Sequence, residues 1–291
     1  MEQRDLFGEI VLTDVLLRDR FMEPPFSVLD TKSGSWQNRK RQWIAKGIKS
    51  EKGRKENLLN FSKTILLKNE SSNGTSIFDP ALTELMYRWF APEEGTILDP
   101  FAGGSVRGIV ANYLKYKYTG IDLRQEQVDS NRDQALQILE VNNQPQWYCG
   151  DSDKVLDSFG SGILKDFDMI FSCPPYGDLE VYSDHEDDLS NMDYAEFVPK
   201  YRSIIRKAVN LLKPGSFAVF VVGDIRDKHG FYRDFLGDTK RAFIDSGAKL
   251  YNEMILLNSV GTACMRAPKI FGATKKVVKI HQNVLVFKKI K

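Results

Sequence analysis

From residue 79 onward two hydrophobic periods take turns along the chain. Strand-like segments, strongly apolar at 168–172 and 216–222, fall at 96–98, 118–122, 146–149, 168–172, 216–222, 248–257 and 284–287, and these predict seven strands. Between them the apolar residues recur at helical spacing. Asp79 and Pro80 read as the N-cap and first position of a helix that carries Leu82, Leu85, Met86 and Phe90 on one face and ends at residues 92–95. Further helices are predicted over 106–114, 125–140, 194–212 and 232–246, the second of them polar. Strand and helix alternating in this way predict a doubly wound α/β sheet, with the last two strands pairing as a late hairpin.

Residues 1–70 have a different character and are expected to form an N-terminal extension, with a short strand at 26–29 after Pro24-Pro25. Within it, Trp36, Arg39, Lys40 and Arg41 mix aromatic and basic character, a combination suited to base stacking and phosphate contact. The same stretch also reads as a helix whose tryptophans pack on the main domain while its charges face water. The two uses are compatible.

At 291 residues the chain is long enough to bury a large core, and 41 basic against 39 acidic residues leave the total charge uninformative. Its distribution is not uniform. Residues 36–55 carry eight Lys and Arg against Glu51 alone, whereas 177–196 hold eight Asp and Glu and no Lys or Arg. Three cysteines and three histidines form no metal-ligand spacing, so no metal is expected. With no leader-like start and no apolar run of bilayer length, a cytoplasmic chain is expected.

Asp99-Pro100-Phe101-Ala102-Gly103-Gly104-Ser105 follows a predicted strand and opens a predicted helix. Glycines there let backbone approach a ligand, and the helix start offers unpaired N–H groups. The GxGxxG dinucleotide fingerprint is absent, which disfavours nicotinamide and flavin cofactors. Asp122 ends the next strand, about 20 residues on, where an acid accepts two ribose hydroxyls. Further along, Ser172-Cys173-Pro174-Pro175-Tyr176 terminates the 168–172 strand with two residues that cannot donate ladder hydrogen bonds.

These stretches resemble the S-adenosylmethionine-dependent amino-methyltransferases, which methylate the exocyclic nitrogen of a nucleobase. Residues 99–105 are similar to that family's Asp-Pro-Phe-Ala-Gly-Ser-Gly motif, with Gly104 and Ser105 in swapped order. The resemblance implies S-adenosylmethionine held by Asp99, Phe101, Ala102 and Gly103, by Asp122 with Leu123, by Asp151 with Ser152, and by Ser76 and Phe78. Taken singly, each acid reads more readily as a loop cap or a solvated residue than as a ligand. The resemblance also implies a catalytic group of Cys173, Pro174, Pro175 and Tyr176: two acceptors for the amine N–H groups, at Cys173 and the Pro174 carbonyl, and a ring for the base to stack on. Cys173 departs from the family's Asp, Asn or Ser. A thiol is a weak acceptor, so Ser172 or a water is a candidate substitute, and a nucleophilic role for Cys173 on a pyrimidine carbon is the minor alternative.

The implied fold is a Rossmann-like seven-stranded methyltransferase sheet, mostly parallel with a late antiparallel strand and helices on both faces, over residues 71–291. The chain as a whole resembles phage- and prophage-encoded DNA methylases, some of which carry a ParB-like segment absent here. The expected partner is double-stranded DNA, with a specificity or ParB-like chain and a homodimer as further options and no membrane. Recognition is expected to fall to the extension, the acidic loop at 177–191 and the 258–276 segment. Two other functions compete: an RNA methyltransferase of the transfer-RNA guanine N2 type, and an inactive nucleic-acid-binding relative.

Overall fold

Runs of consecutive apolar residues suit strands covered on both faces, and that is where the chain puts them. The computed structural model describes residues 3–4, 10–11, 23–49, 78–161, 164–176, 188–258 and 263–290. In chain order the elements are β1 (Gln3–Arg4), β2 (Ile10–Val11), β3 (Val28–Asp30), α1 (Gly34–Ala45), α2 (Pro80–Phe90), β4 (Thr96–Asp99), α3 (Val106–Tyr113), β5 (Lys117–Asp122) and α4 (Gln125–Ile138). They continue with β6 (Gln146–Cys149), α5 (Ser152–Gly160), β7 (Phe167–Ser172), α6 (Tyr194–Leu211), β8 (Leu212–Val222), α7 (Phe235–Asp245), β9 (Ala248–Leu257), α8 (Ala263–Thr274) and β10 (His281–Lys289).

Among the described residues the main sheet has eight strands in the order β3-β9-β10-β8-β7-β4-β5-β6, and β1 and β2 form a separate ladder. Only β10 runs against its neighbours in that sheet, pairing antiparallel with both β8 and β9. The expected seven strands are therefore all present, and the count rises to eight because the 26–29 segment adds an edge strand. That strand, β3, pairs parallel with β9, Val28 opposite Ile255. β9 and β10 do pair late and antiparallel, but through α8 rather than a hairpin turn.

Alternate residues of each strand feed two cores. Phe171 belongs to the face covered by α1 to α4, with Trp36, Trp43, Tyr87 and Tyr118. Its neighbour Ile170 belongs to the face covered by α5 to α7, with Phe197, Tyr201, Phe220 and Phe243. Asp79 caps α2 by accepting from Ala81 N at 2.9 Å, with Pro80 in the first turn. Two helices escaped sequence reading. α5 is nine residues long with few apolar positions, and α8 contains Pro268 and buries only Ala263. No helix among the described residues is long and apolar enough to cross a membrane.

Residues 23–49 are joined to this sheet. Thr31 Oγ1 donates to Leu257 O at 2.5 Å beyond the end of β3. α1 then packs on α2 through Trp36 and Trp43, both fully buried. The buried Glu84 carboxylate of α2 accepts from Arg39 Nε at 2.7 Å, Trp43 Nε1 at 2.8 Å and Arg88 Nε at 2.9 Å.

Candidate active site

β4 and β7 lie side by side, with β5 and β6 running off to one side and β8 to the other. The strand order therefore reverses between β4 and β7, and the carboxyl ends there open a crevice. Four loops meet in it around about 1140 Å³ of open space, those after β4, β5, β6 and β7. Phe78, Phe101, Ala102, Gly103, Asp122, Leu123, Asp151 and Ser152 line this cleft together with Cys173, Pro174, Pro175 and Tyr176. The candidate cofactor and catalytic residues thus share one space. Ser76 lies outside the described residues, as do the basic residues beyond Lys49 and the acidic stretch 177–187.

Asp99 is the exception among the cofactor candidates. It does not line the cleft but sits beneath it, fully buried. Its carboxylate accepts from Arg107 Nε and Ser172 Oγ at 2.5 Å each, from Tyr118 Oη at 2.7 Å and from Phe101 N at 3.2 Å. With its lone pairs occupied in this way, Asp99 positions the loop instead of touching a ligand. Arg107 completes that scaffold, donating Nη2 to Phe101 O at 2.7 Å and Ala102 O at 2.8 Å, with its guanidinium 4.4 Å from the centre of the Phe78 ring. Burial works against the charge on Arg107, but the Asp99 carboxylate, with smaller help from Tyr118 and Cys173, outweighs it and holds the guanidinium protonated more firmly than in water.

The loop itself turns at Gly103, whose φ of +52° suits glycine and whose missing Cβ would point into open space. A row of buried amides on α4 braces it. Asn131 Nδ2 donates to Gly103 O at 2.7 Å, and Asn131 Oδ1 accepts from Gln127 Nε2 at 2.9 Å. Gln134 accepts from Ser105 Oγ at 2.7 Å and donates to Lys49 O at 2.7 Å, which ties the N-terminal segment to the same loop. Gln127, Asn131 and Gln134 are all buried, so the helix that reads as polar turns part of its polar face inward.

The acids at the next two strand ends differ. Burial pushes the Asp122 carboxyl above its ordinary range, although the Arg124 charge and the backbone N–H groups of Arg124 and Gly103 pull it back. Asp151 caps α5, accepting from Asp153 N at 3.0 Å, and its other oxygen lies 3.1 Å from Lys200 Nζ. The capping alternative for Asp151 is thus realised. Ser152 Oγ donates to Pro100 O at 2.5 Å and ties the third loop to the first.

On the β7 side, Cys173 Sγ and Tyr176 Oη stand 3.6 Å apart. The Tyr176 hydroxyl also accepts from Gln282 Nε2 of β10 at 2.7 Å. Its ring lies against Gly223, where a Cβ would meet it at 3.6 Å, and edge-on to Phe235 with 6.2 Å between centroids. Ser172 is a correction. Strand alternation turns its side chain inward, where Oγ is fully buried and committed to Asp99, so it does not face the cleft.

Two of the four DNA-contact candidates are also corrected. Trp36 is fully buried with Nε1 donating to Asp79 at 3.2 Å, and Arg39 is buried against Glu84, so neither presents itself to a nucleic acid. The apolar face of α1 needed cover, and packing on α2 provides it. Lys40 is partly exposed, 3.2 Å from Asp79, and Arg41 is exposed with a hydrogen bond to Asn38. Sequence reasoning missed Arg107 and the α4 amides, and it did not foresee the bond from Gln282 to Tyr176. A lone charged residue in the largely apolar Val106–Tyr113 helix was the available signal for Arg107.

The sheet order and the cleft at its reversal define the fold class of the methyltransferases, and solved structures agree. TrmN from Thermus thermophilus superposes with a TM-score of 0.50 at 16% identity, covering 73% of this chain and 49% of its own. A Pyrococcus horikoshii protein, provisionally described as an RNA methyltransferase, gives 0.50 at 15% identity and covers 87% and 100%. The chain thus spans about half the length of the Thermus protein, and at such identities the likeness establishes fold alone. Residues 22–133 match the model of a family described as DNA methylase, which bears out the resemblance to the DNA amino-methyltransferases. That match takes in Gly103 and Asp122 and stops short of Cys173 to Tyr176. No curated protein matches the sequence.

Proposed function

We propose that the protein is a DNA methyltransferase that moves the methyl group of S-adenosylmethionine to the exocyclic amine, cytosine N4 or adenine N6, of a base flipped from a duplex. The observation that carries this reading is the shared cleft, in which the glycine loop, Asp122 and Asp151 meet Cys173, Pro174, Pro175 and Tyr176. The residues fit the cofactor. Asp122 is a desolvated carboxylate suited to two ribose hydroxyls, Asp151 to the adenine amine, and Gly103 leaves open space for a ligand's close approach. Phe78, Phe101, Ala102, Leu123 and Ser152 enclose it, and Ser76 is proposed to join them.

When bound, the cofactor supplies a methyl group on a sulfonium. The chain's own residues prepare the amine, whose lone pair is delocalised into the base. The Pro174 carbonyl and the Cys173 sulfur accept its two N–H bonds and draw the nitrogen out of the ring plane. Tyr176, braced by Gln282 and Gly223, holds the base, and Pro175 stiffens the turn. The nitrogen gains the methyl group and its surplus proton passes to water, so positioning does most of the work and no strong base is required.

Nucleoside mass spectrometry on DNA and RNA from cells expressing the protein, beside a Tyr176→Ala control, tests the proposal. N6-methyladenine or N4-methylcytosine in DNA, lost in the control, is the expected result. A methylated base in RNA alone would replace this reading with a guanine N2-type RNA enzyme, and a ring-carbon product would make Cys173 a nucleophile. Cofactor binding without any new base would indicate an inactive relative. A cytoplasmic role in restriction and modification accompanies the DNA reading.

A further inference from the structure

Two elements adjoin, along the chain, the residues that hold Tyr176, and neither is used by the cofactor or the chemistry. One is the turn at 226–232, which springs from β8 just after Gly223, the residue against the Tyr176 ring. The other is α8, which leads into β10, whose second residue, Gln282, bonds the Tyr176 hydroxyl. The segment just after α8 also meets the turn, since Lys276 Nζ fills the place a Cβ on Gly230 would take.

The turn is built rigidly. Arg226 and Tyr232 form an antiparallel bridge, with the guanidinium 3.7 Å from the Tyr232 ring centre and Nη1 donating to Gly230 O at 2.7 Å. Asp227 Oδ1 accepts from His229 N and Phe231 N at 2.9 Å each, and Gly230 supplies the left-handed residue at φ +91°. This frame holds Phe231 out, 73% exposed, beside exposed Lys228 and His229. α8 exposes Met265 and Phe271 and buries only Ala263. Residues 258–281 contain five Lys and Arg and no Asp or Glu.

We propose that α8 with the basic segment that follows it and the 226–232 turn are the surface on which the DNA duplex docks, Arg266 and Lys269 of α8 and Lys275 just beyond it taking phosphates and Phe231 entering the stack beside the extruded base. This rests on the proposed function. The charge is complementary to a polyanion, and a wedge that props an unstacked base step must be apolar and stiffly mounted. Phe231 meets both conditions. The lost stacking that base extrusion incurs is offset at the position where the base is captured.

The test is fluorescence anisotropy of a labelled mixed-sequence duplex with the full chain across a salt series. Arg266→Gln/Lys269→Gln/Lys275→Gln is expected to weaken binding about tenfold or more and to lower the slope of log affinity against log salt by about 0.9 for each phosphate no longer neutralised. Phe231→Ala is expected to weaken binding at unchanged slope. A control pair at the opposite ends of the strands, Lys117→Gln/Lys249→Gln, should bind as wild type, and all variants should keep their melting temperature and S-adenosylmethionine affinity. Wild-type duplex binding that survives both site variants would overturn this surface and leave the proposed function standing. No binding of any nucleic acid by the wild type would instead sink the function itself. Tighter binding of an RNA hairpin, lost in the same variants, would reject DNA as the occupant. A change of oligomeric state in the triple variant, seen by sedimentation, would reassign the face to a second copy.

Discussion

Arg107→Met separates the scaffold role of the Asp99–Arg107 pair from direct cofactor contact. The two side chains are 0% and 5% exposed, so removing the guanidinium leaves a carboxylate in the interior with Tyr118, Ser172 and the Phe101 N–H as neutral donors only. Breaking a buried pair by deleting one partner costs about 3–5 kcal/mol. At about 2–4 °C per kcal/mol for a chain of this general size, the melting temperature should fall by roughly 6–20 °C. The carbonyls of Phe101 and Ala102 also lose their donor, so cofactor affinity measured well below the melting transition should fall too. Asp99→Asn/Arg107→Met removes the orphaned charge and should recover a good part of the stability, which a double-mutant cycle by scanning fluorimetry would read directly. A single variant within about 2 °C of wild type, or a double variant whose losses simply add, would refute the reasoning.

Asp122→Ala deletes the proposed acceptor for two ribose hydroxyls; at about 1.5–3 kcal/mol for each bond to a charged group, S-adenosylmethionine should bind about 10²–10⁴-fold more weakly by calorimetry. Because burial raises the Asp122 carboxyl, wild-type affinity should begin to fall at a higher pH than an exposed aspartate would give, and Asp122→Asn should lose that dependence. Asp168 follows the opposite sign. Burial would raise its carboxyl, but Lys213 Nζ at 2.6 Å and the N–H and hydroxyl of Thr96, both at 2.9 Å, together hold it below the ordinary value. Its contribution, about 1–2 kcal/mol, is full above the unfolded value near about 3.9 and is lost as pH falls towards the lower folded one. Asp168→Asn should therefore be less stable at neutral pH and show a flatter acid limb in urea titrations.

Local chemistry made much of this protein legible in its sequence. Continuous apolar runs marked strands covered on both faces, Asp79 with Pro80 marked a helix start, and the residues directly after β4, β5, β6 and β7 marked the cleft. Each of these depends on neighbours a few residues away. What the chain could not disclose were the partners of polar groups that meet only after folding. Asp99 and Ser172 stand 73 residues apart, and their hydrogen bond moves one from ligand contact to scaffold and withdraws the other from the cleft. Glu84, 45 residues away, draws Arg39 out of its basic cluster and into the packing of α1 on α2, and the inward amides of α4 make a polar helix into a brace. The eighth strand exists because Val28–Asp30 finds the open edge of β9, with Thr31 bonding Leu257 226 positions away. A buried polar group must find a partner, and which one it finds is settled by the sheet order that brings distant strand ends together.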